Sequence, residues 1–340
     1  MKLSVVIPFF NEAANLESSL LELETYLTNY LGSDGWEVVA VNDGSSDNTL
    51  ELLKGLGETK HWLKWVDLVI NHGRGAAVRR GIERASGDIL VTLDADLSYA
   101  PYHIERMVAA LESQHADIVV ASAYRSEGSV KNVPLNRLWL SQAGNKLLSY
   151  MYGENLTVLT CIVRAYRKEF IKKLDLHSDG KDIHLEILYK AKILGAKIHE
   201  IPADLAWKES KLKSKGKVKK RRSTLKIRKT SGSHLFFAML NKPGFIYTVP
   251  ACLLLAVSFI IFAISLVSIG GDMTQNGVDL YSATRNSMIN ATPSWLTLAV
   301  SFVLAIQFFS LGFLTNQHKK NYEETYKTLH SILKEIRNNN

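Results

Sequence analysis

The stretch Gly87-Asp-Ile-Leu-Val-Thr-Leu-Asp-Ala-Asp96 is a short apolar run closed by two carboxylates, Asp94 and Asp96, with one residue between them. Its length and composition suit a buried strand. A strand that stops in Asp-X-Asp points both acids out of the sheet edge, into the crevice where open α/β sheets hold their ligands. Hard oxygen ligands at that place suit Mg2+ or Mn2+ carrying a diphosphate. The same tripeptide is common in turns and helix caps, so the neighbouring elements must decide.

Upstream, Leu3 to Pro8 reads as a first buried strand, followed by Phe9-Phe10-Asn11-Glu12. Leu16, Leu20, Leu23, Leu27 and Leu31 then recur every three or four residues, the mark of an amphipathic helix from Glu12 to Leu31 lying on a sheet. Trp36 to Asn42 is a second strand. It also ends in an acid, Asp43, and Ser45 or Ser46 is placed to cap the helix that runs to about Leu56. Asp47 reads equally well as a ligand contact or a cap. Lys64 to Ile70 supplies a third strand, and Asn71-His-Gly-Arg-Gly75 leads into a helix of small residues from Ala76 to Ile82. Gly73 and Gly75 let the backbone approach a ligand, with Arg74 and Arg79 adding positive charge near phosphates. The spacing is not the G-x-G-x-x-G of dinucleotide-binding folds.

Downstream of Asp96, a helix runs to about Gln114, a strand spans Asp117 to Ala123, and Pro134 to Tyr152 is helical. Thr157 to Tyr166 reads as a strand, Asp182 to Leu194 as an amphipathic helix carrying Glu186, and Lys197 to Pro202 as a last strand. This alternation predicts an α/β domain over residues 1–207 with a mostly parallel, doubly wound sheet. Acids close two of its strands, at Asp43 and Asp94, and that convergence carries more weight than either motif alone.

The rest of the chain differs in kind. Its net charge of +8 is concentrated between Lys208 and Lys229, where twelve Lys or Arg face one acid, Glu209; the remaining residues sum to −3. Just before a long apolar run, such a band favours anionic lipid headgroups over nucleic acid. With Leu235 to Leu240 it suits a juxtamembrane segment over 208–244. Phe245 to Ile269 is 25 residues without a charge and Trp295 to Thr315 another 21, which predicts a two-helix transmembrane hairpin over 245–315. The loop between them carries only Asp272, Asp279 and Arg285, while Lys319-Lys320 follows the second run, so both chain ends are expected in the cytosol. Residues 316–340 form an amphipathic tail helix able to pack on the first domain or on another subunit. The N-terminus reaches polar residues too soon for a signal peptide. Two distant cysteines, Cys161 and Cys252, exclude a disulfide scaffold and a cysteine-rich zinc site.

Four segments together carry a resemblance: Ser4-Val-Val-Ile-Pro8 with Asn11-Glu12, Val41-Asn-Asp43-Gly-Ser-Ser-Asp47-Asn-Thr, Asn71-His-Gly-Arg-Gly-Ala-Ala-Val-Arg79, and Gly87 to Leu97. In this order and spacing they resemble the family 2 glycosyltransferases of GT-A fold, in particular the polyprenyl-phosphate branch that includes dolichol-phosphate mannose synthases. The resemblance covers roughly Lys2 to Lys213. It implies inverting transfer of a sugar from a nucleotide sugar, a GDP- or UDP-hexose, to a membrane polyprenyl phosphate, with Mg2+ or Mn2+ as cofactor. Pro8, Asn11, Glu12 and Asp43 would line the base and ribose, with Gly73, Arg74 and Arg79 beside the phosphates. Asp94 and Asp96 would hold the diphosphate and metal, Asp96 being the more direct ligand. Arg125 and Arg137 look like the pair that grips the phosphates of donor and lipid acceptor, and Glu186 lies in the helix that closes the acceptor side. This chain departs from the family at Ser98, which stands for a Gln, at Arg74, which stands for a Lys, and at Thr160-Cys161-Ile162, which replaces a smaller run. Its segment Ala206 to Leu212 is shorter than the family's loop, so Lys208 and Lys211 are only loosely matched to phosphate contacts. A processive polysaccharide synthase fits less well, because no Gln-X-X-Arg-Trp segment is present and two spans are few for a polymer channel. A non-catalytic nucleotide-binding membrane module would have no physical need to keep unneutralised acids together.

Overall fold

The computed structural model describes residues 2–153, 155–207 and 243–339. The basic band, the apolar stretch after it and the Lys208 and Lys211 assignments lie outside the described residues. The chain divides into two compact units, residues 1–238 and 239–340.

In the first unit the order is β1 (Leu3–Phe9), α1 (Ala13–Leu31), β2 (Trp36–Asn42), α2 (Thr49–Thr59), β3 (Leu63–Asp67), α3 (Arg74–Arg84), β4 (Ile89–Thr92), α4 (Tyr102–Ser113) and β5 (Ile118–Ser122). There follow β6 (Ser129–Lys131), α5 (Leu135–Tyr152), β7 (Arg164–Arg167), α6 (Lys168–Ile171), α7 (Ile183–Ile193), β8 (Ile198–Pro202) and β9 (Asp204–Ala206). Seven strands form one sheet in the order β3-β2-β1-β4-β7-β5-β8, and only β7 runs antiparallel to its neighbours. The expected α/β class and mostly parallel sheet are therefore present. β1 and β2 are apolar on both faces because helices cover both, and their side chains are almost wholly buried. On one face α3 lies so close that a Cβ on Gly81 would fall 2.1 Å from Val6 Cγ1.

Three expectations are corrected. The third strand stops at Asp67 rather than Ile70, because Val69 adopts φ 63° and Ile70 N–H bonds Leu68 O in a tight turn. Of Thr157 to Tyr166 only the last residues are strand. The earlier ones are held as loop by side chains instead: Glu200 accepts from Thr157 N and Val158 N, and Asn145 Oδ1 from Leu159 N. Two short parallel strands, β6 and β9, were not anticipated; each is only three residues long.

At the N-terminal edge of the sheet, Glu37 is buried and accepts from Ser4 Oγ at 2.6 Å, Ser86 N at 2.6 Å and Lys64 Nζ at 2.6 Å. Burial alone would push its carboxyl up; Lys64, Ser4 and Ser86 outweigh that and hold it at about 2. A depressed carboxylate stabilises the fold fully above its ordinary value of 4.5 and loses that contribution as pH falls towards about 2. Glu37→Gln should therefore cost about 2 kcal/mol at neutral pH. Urea titrations at neutral and acidic pH should show that difference shrinking in acid; an equal difference at both would contradict it.

The second unit contains α8 (Pro243–Asn276), α9 (Leu280–Asn290) and α10 (Thr292–Asn339). α8 and α10 are each long and apolar enough to cross a bilayer by length and composition. They pack on each other through small residues: Ala251, Ser258, Ser265, Ser301 and Ala305 are buried, and Ser258 Oγ lies 3.3 Å from Leu298 O. Two segments differ from the expected hairpin. The connection folds into α9, capped by Asp279, which accepts from Tyr281 N and Ser282 N. The second span and the tail are one continuous helix of 48 residues, about 70 Å long, because no Gly or Pro interrupts the sequence after Gly312.

Candidate functional site

The register of the parallel strands sets the site. Phe9 pairs with Asn42 and Val6 with Thr92, while Asp43 N bonds Phe9 O at 2.8 Å and Leu93 N bonds Val6 O at 3.1 Å. The segments that leave β1, β2 and β4 thus converge on one edge, the C-terminal edge where open parallel sheets bind ligands. A cleft of about 750 Å³ opens there, lined by Pro8, Phe10, Glu12, Asp43, His72, Gly73, Arg74, Asp94, Asp96 and the segment Asp179 to Asp182. Of the residues singled out from the sequence, Pro8, Glu12, Asp43, Gly73, Arg74, Asp94 and Asp96 are brought together in it. Asn11, Arg79, Arg125, Arg137 and Glu186 are not among its lining residues.

The two acids reach the cleft differently from the sequence expectation. β4 ends at Thr92, and Asp94 to Leu97 forms a turn in which Leu97 N–H bonds Asp94 O at 3.1 Å. Leu97 holds φ 47°, a conformation bulky residues rarely adopt and one that collects at functional sites. Asp96 is buried and its Oδ1 accepts from Ser98 N at 3.1 Å and Ser98 Oγ at 2.7 Å. Asp94 is more open, with Arg74 Nη1 3.4 Å from its Oδ1.

Asp43 shapes the opposite wall. Its carboxylate accepts from Asn71 Nδ2 at 2.9 Å, His72 N at 2.8 Å and Gly73 N at 3.1 Å, which fixes the turn that presents Arg74. Gly73 sits at φ 110°, open to glycine and costly to other residues. Neither Ser45 nor Ser46 caps α2: its N-cap residue is Asn48, and the neighbouring Asp47 accepts from Ala13 N at 3.2 Å and Thr49 N at 3.1 Å at the starts of α1 and α2. Asn11 braces the same loop through Ser46 N at 2.7 Å.

Sequence reasoning missed the segment from Leu176 to Asp182, which forms the cleft's third wall. The N-terminus of α3 holds it: Gly75 N donates to Asp179 O at 2.7 Å, and Arg79 bonds Leu176 O at 3.1 Å and pairs with the Asp179 carboxylate. Buried Glu186 holds it from the other side, accepting from His177 N at 2.9 Å and Ser178 N at 2.8 Å beside Lys190 Nζ at 2.7 Å. Burial pushes the Glu186 carboxyl up, and Lys190 with those two amides brings it below the usual range. The space left by Gly75 is thus filled by this segment's backbone, since a Cβ there would lie 2.3 Å from Ser178 O and 2.6 Å from Gly180 O. Gly75→Ala should displace the wall, cost about 1–3 kcal/mol and weaken ligand binding. Thermal melts with and without nucleotide check this; an unchanged melt and an unchanged ligand-induced rise would contradict it.

Among the described residues, Glu12, Asp43, Asp94, Asp96, Asp179 and Asp182 line the cleft with Arg74 and Lys181 as its cationic lining residues, and Asp179 is already paired with Arg79. An incoming diphosphate would meet like charge unless a divalent cation came with it. Asp94 and Asp96 offer hard oxygen donors from one turn, and no group of three or more His, Cys, Asp or Glu able to hold a metal occurs among the described residues. That donor set fits a Mg2+-type ion, which binds through one or two carboxylates and takes its other ligands from phosphate and water.

The sequence of residues 4–175, half of the chain, matches the profile of glycosyl transferase family 2. Dolichol-phosphate mannosyltransferase of Pyrococcus furiosus is 34% identical over 221 residues, covering 63% of this chain and 60% of that protein. Undecaprenyl-phosphate 4-deoxy-4-formamido-L-arabinose transferase of Yersinia enterocolitica is 31% identical over 188 residues, 55% of each chain. The match thus spans less than two thirds of the length of these relatives. Among solved structures, glucosyl-3-phosphoglycerate synthase from Mycobacterium tuberculosis in complex with uridine diphosphate is 20% identical with a TM-score of 0.49, covering 70% of this chain and 80% of that one. On the sequence match across β1 to α6, which holds the cleft's lining residues from Pro8 to Asp96, the chain belongs to the family 2 glycosyltransferases.

Proposed function

We propose that the chain transfers a sugar from a nucleotide sugar to a polyprenyl phosphate in a membrane, with inversion and release of the nucleoside diphosphate. The observation that carries this reading is the acid-lined cleft with Arg74 at its rim, in a chain that also holds two helices long enough to cross a bilayer. Relatives named for dolichol-phosphate and undecaprenyl-phosphate acceptors support the lipid half. In one displacement, a lipid phosphate oxygen attacks the anomeric carbon; the bond from that carbon to the diphosphate oxygen breaks, and its electron pair leaves with the nucleoside diphosphate. A phosphate monoester is already ionised near neutral pH, so positioning and electrostatics carry most of the rate without a strong general base.

Pro8, Glu12 and the Asp43-braced turn form the nucleoside side, and Arg74 stands at the diphosphate. Asp94 and Asp96 would hold Mg2+ or Mn2+, which would supply positive charge against the leaving diphosphate. Arg125 and Arg137 lie outside the cleft lining. Arg125 donates to Glu200 O, and the exposed Arg137 guanidinium lies 5.5 Å over the Trp207 ring. Arg137 is the better placed of the two for an acceptor phosphate arriving from outside the cleft. By the charge of their flanks, α8 and α10 span the membrane with both chain ends in the cytosol.

Mass spectrometry of the lipid fraction after incubation with a panel of GDP- and UDP-sugars, polyprenyl phosphate and Mg2+ tests the proposal. One hexose mass added to the lipid phosphate is expected. Sugar appearing only in polymer, or no lipid product with any donor, would sink it.

A further inference from the structure

Among the described residues six acids line the cleft, and five of them are engaged by the protein itself. Asp43 accepts from the Asn71 side chain and the amides of His72 and Gly73, Asp96 from Ser98, and Glu12 Oε2 from Asn15 Nδ2 at 3.1 Å. Asp94 faces Arg74, and Asp179 pairs with Arg79. Asp182 differs: among the described residues its half-buried side chain takes part in no hydrogen bond and no ion pair. An aspartate at a helix start ordinarily turns its carboxylate onto the first free amides. This one stands at the start of α7 without a cap bond and lies over Gly180 instead, where a Cβ would collide with its Oδ1. Because Gly180 is itself a lining residue, the carboxylate stands in the cleft.

Its position is fixed from behind. Asp182 O accepts from Leu185 N and Glu186 N, both at 2.9 Å, and Glu186 is locked in turn to His177 N, Ser178 N and Lys190. An acceptor held on a rigid element with no donor of its own suits a ligand that brings one. A diphosphate brings none and repels it. The nucleoside, on the reading above, lies against Pro8, Glu12 and the turn braced by Asp43. The segment that carries Asp182 meets that turn at its far end, where Gly75 N donates to Asp179 O and a Cβ on Gly73 would lie 3.8 Å from Gly180 Cα. There Arg74 stands at the diphosphate, and the donors beyond a diphosphate are the hydroxyls of the sugar it carries. We infer that Asp182 determines sugar specificity: its carboxylate accepts hydrogen bonds from hydroxyls of the donor sugar and holds that sugar against the third wall. Two oxygens can take two neighbouring hydroxyls at once, and a site built to bond a hydroxyl rejects the sugar that lacks it or turns it away.

This inference rests on the nucleotide-sugar half of the proposal above and not on its lipid half. Titration calorimetry of the full chain in detergent with Mn2+ tests it, on the wild type, Asp182→Asn and Asp182→Ala. The probes are UDP, UDP-glucose, UDP-galactose, UDP-xylose, GDP, GDP-mannose and GDP-glucose. Because the Asp182 side chain makes no cap bond, both variants should melt close to the wild type. The wild type is expected to discriminate between sugars carried on the same nucleotide. Both variants should narrow that discrimination about 10- to 100-fold, the loss of one charged hydrogen bond, while free UDP or GDP binds within about threefold of the wild type. Discrimination unchanged in the variants, or absent from the wild type, would overturn the inference. So would an equal loss for the nucleotide sugars and the free diphosphates, which would put Asp182 at the cation. Lipid product formed with an unaltered sugar preference would sink the specificity role and leave the transfer reaction standing. Lost preference in a protein that makes no lipid product would do the reverse.

Discussion

Asp96→Ala is expected to lower turnover roughly a thousandfold, the loss of several kcal/mol of charge stabilisation when one of the two carboxylates proposed to hold the cation is removed. The fold should survive. The turn from Asp94 to Leu97 keeps its backbone bond, while Ser98 N and Oγ lose their acceptor, at a cost of about 1–3 kcal/mol. Asp96→Asn separates the two effects, because an amide oxygen can still accept from Ser98 while the negative charge is gone. Both variants should therefore fail in steady-state kinetics at saturating donor, lipid and Mg2+, with Asn melting closer to the wild type. Turnover within tenfold of wild type in either variant would remove Asp96 from the site.

Asp43→Ala should act in another way. Three donors, Asn71 Nδ2, His72 N and Gly73 N, lose the acceptor that folds the wall of the cleft. Because the cleft admits water to part of that gap, the expected cost is about 2–3 kcal/mol rather than the full penalty for each group. The donor KM should rise more than kcat falls, since the wall positions the nucleotide and does not touch the breaking bond. Urea titration and donor-dependent kinetics read the two effects separately. A variant with a raised KM and unchanged stability would show that Asp43 serves the ligand alone, the role implied by the family resemblance.

The fold was legible where burial dictates the sequence. β1, β2 and β5 lie between two layers of helices, so their residues are apolar on both faces and leave no second reading. The same rule misled at Thr157 to Val163, where apolar residues reach the core from a loop whose amides are satisfied by Glu200 and Asn145 instead of by a neighbouring strand. Periodicity cannot tell these apart, because it records burial and not the hydrogen-bond partner. At Leu68 to Ile70 the run of apolar residues continues past the strand into a turn with Val69 at positive φ, a conformation β-branched residues almost never announce.

For the site, the acids at strand ends were readable because sheet topology fixes where strand ends go. Asp43, Asp94 and Asp96 do line one cleft. The segment from Leu176 to Asp182 was not readable. Its position depends on Gly75, Arg79 and Glu186, separated from one another by up to about a hundred residues of sequence, and Glu186 spends its carboxylate on that segment's amides. Arg79 was read as a phosphate contact for the reason that makes it a good latch: a guanidinium suits a carboxylate as well as it suits a phosphate. The expected limits of α5 hold to within a residue at its start, and only its placement reveals that the apolar face looks outward.

The claim on which the mechanism depends is that Asp94 and Asp96 hold a cation-bound diphosphate. Electron paramagnetic resonance of Mn2+ tests it directly, by following the free-ion signal as protein and nucleoside diphosphate are added. The account predicts strong uptake only when protein and nucleotide are both present, and its loss when Asp94→Asn and Asp96→Asn are combined. Uptake unchanged in that double variant, or nucleotide binding as tight in chelator as with the cation, would contradict it.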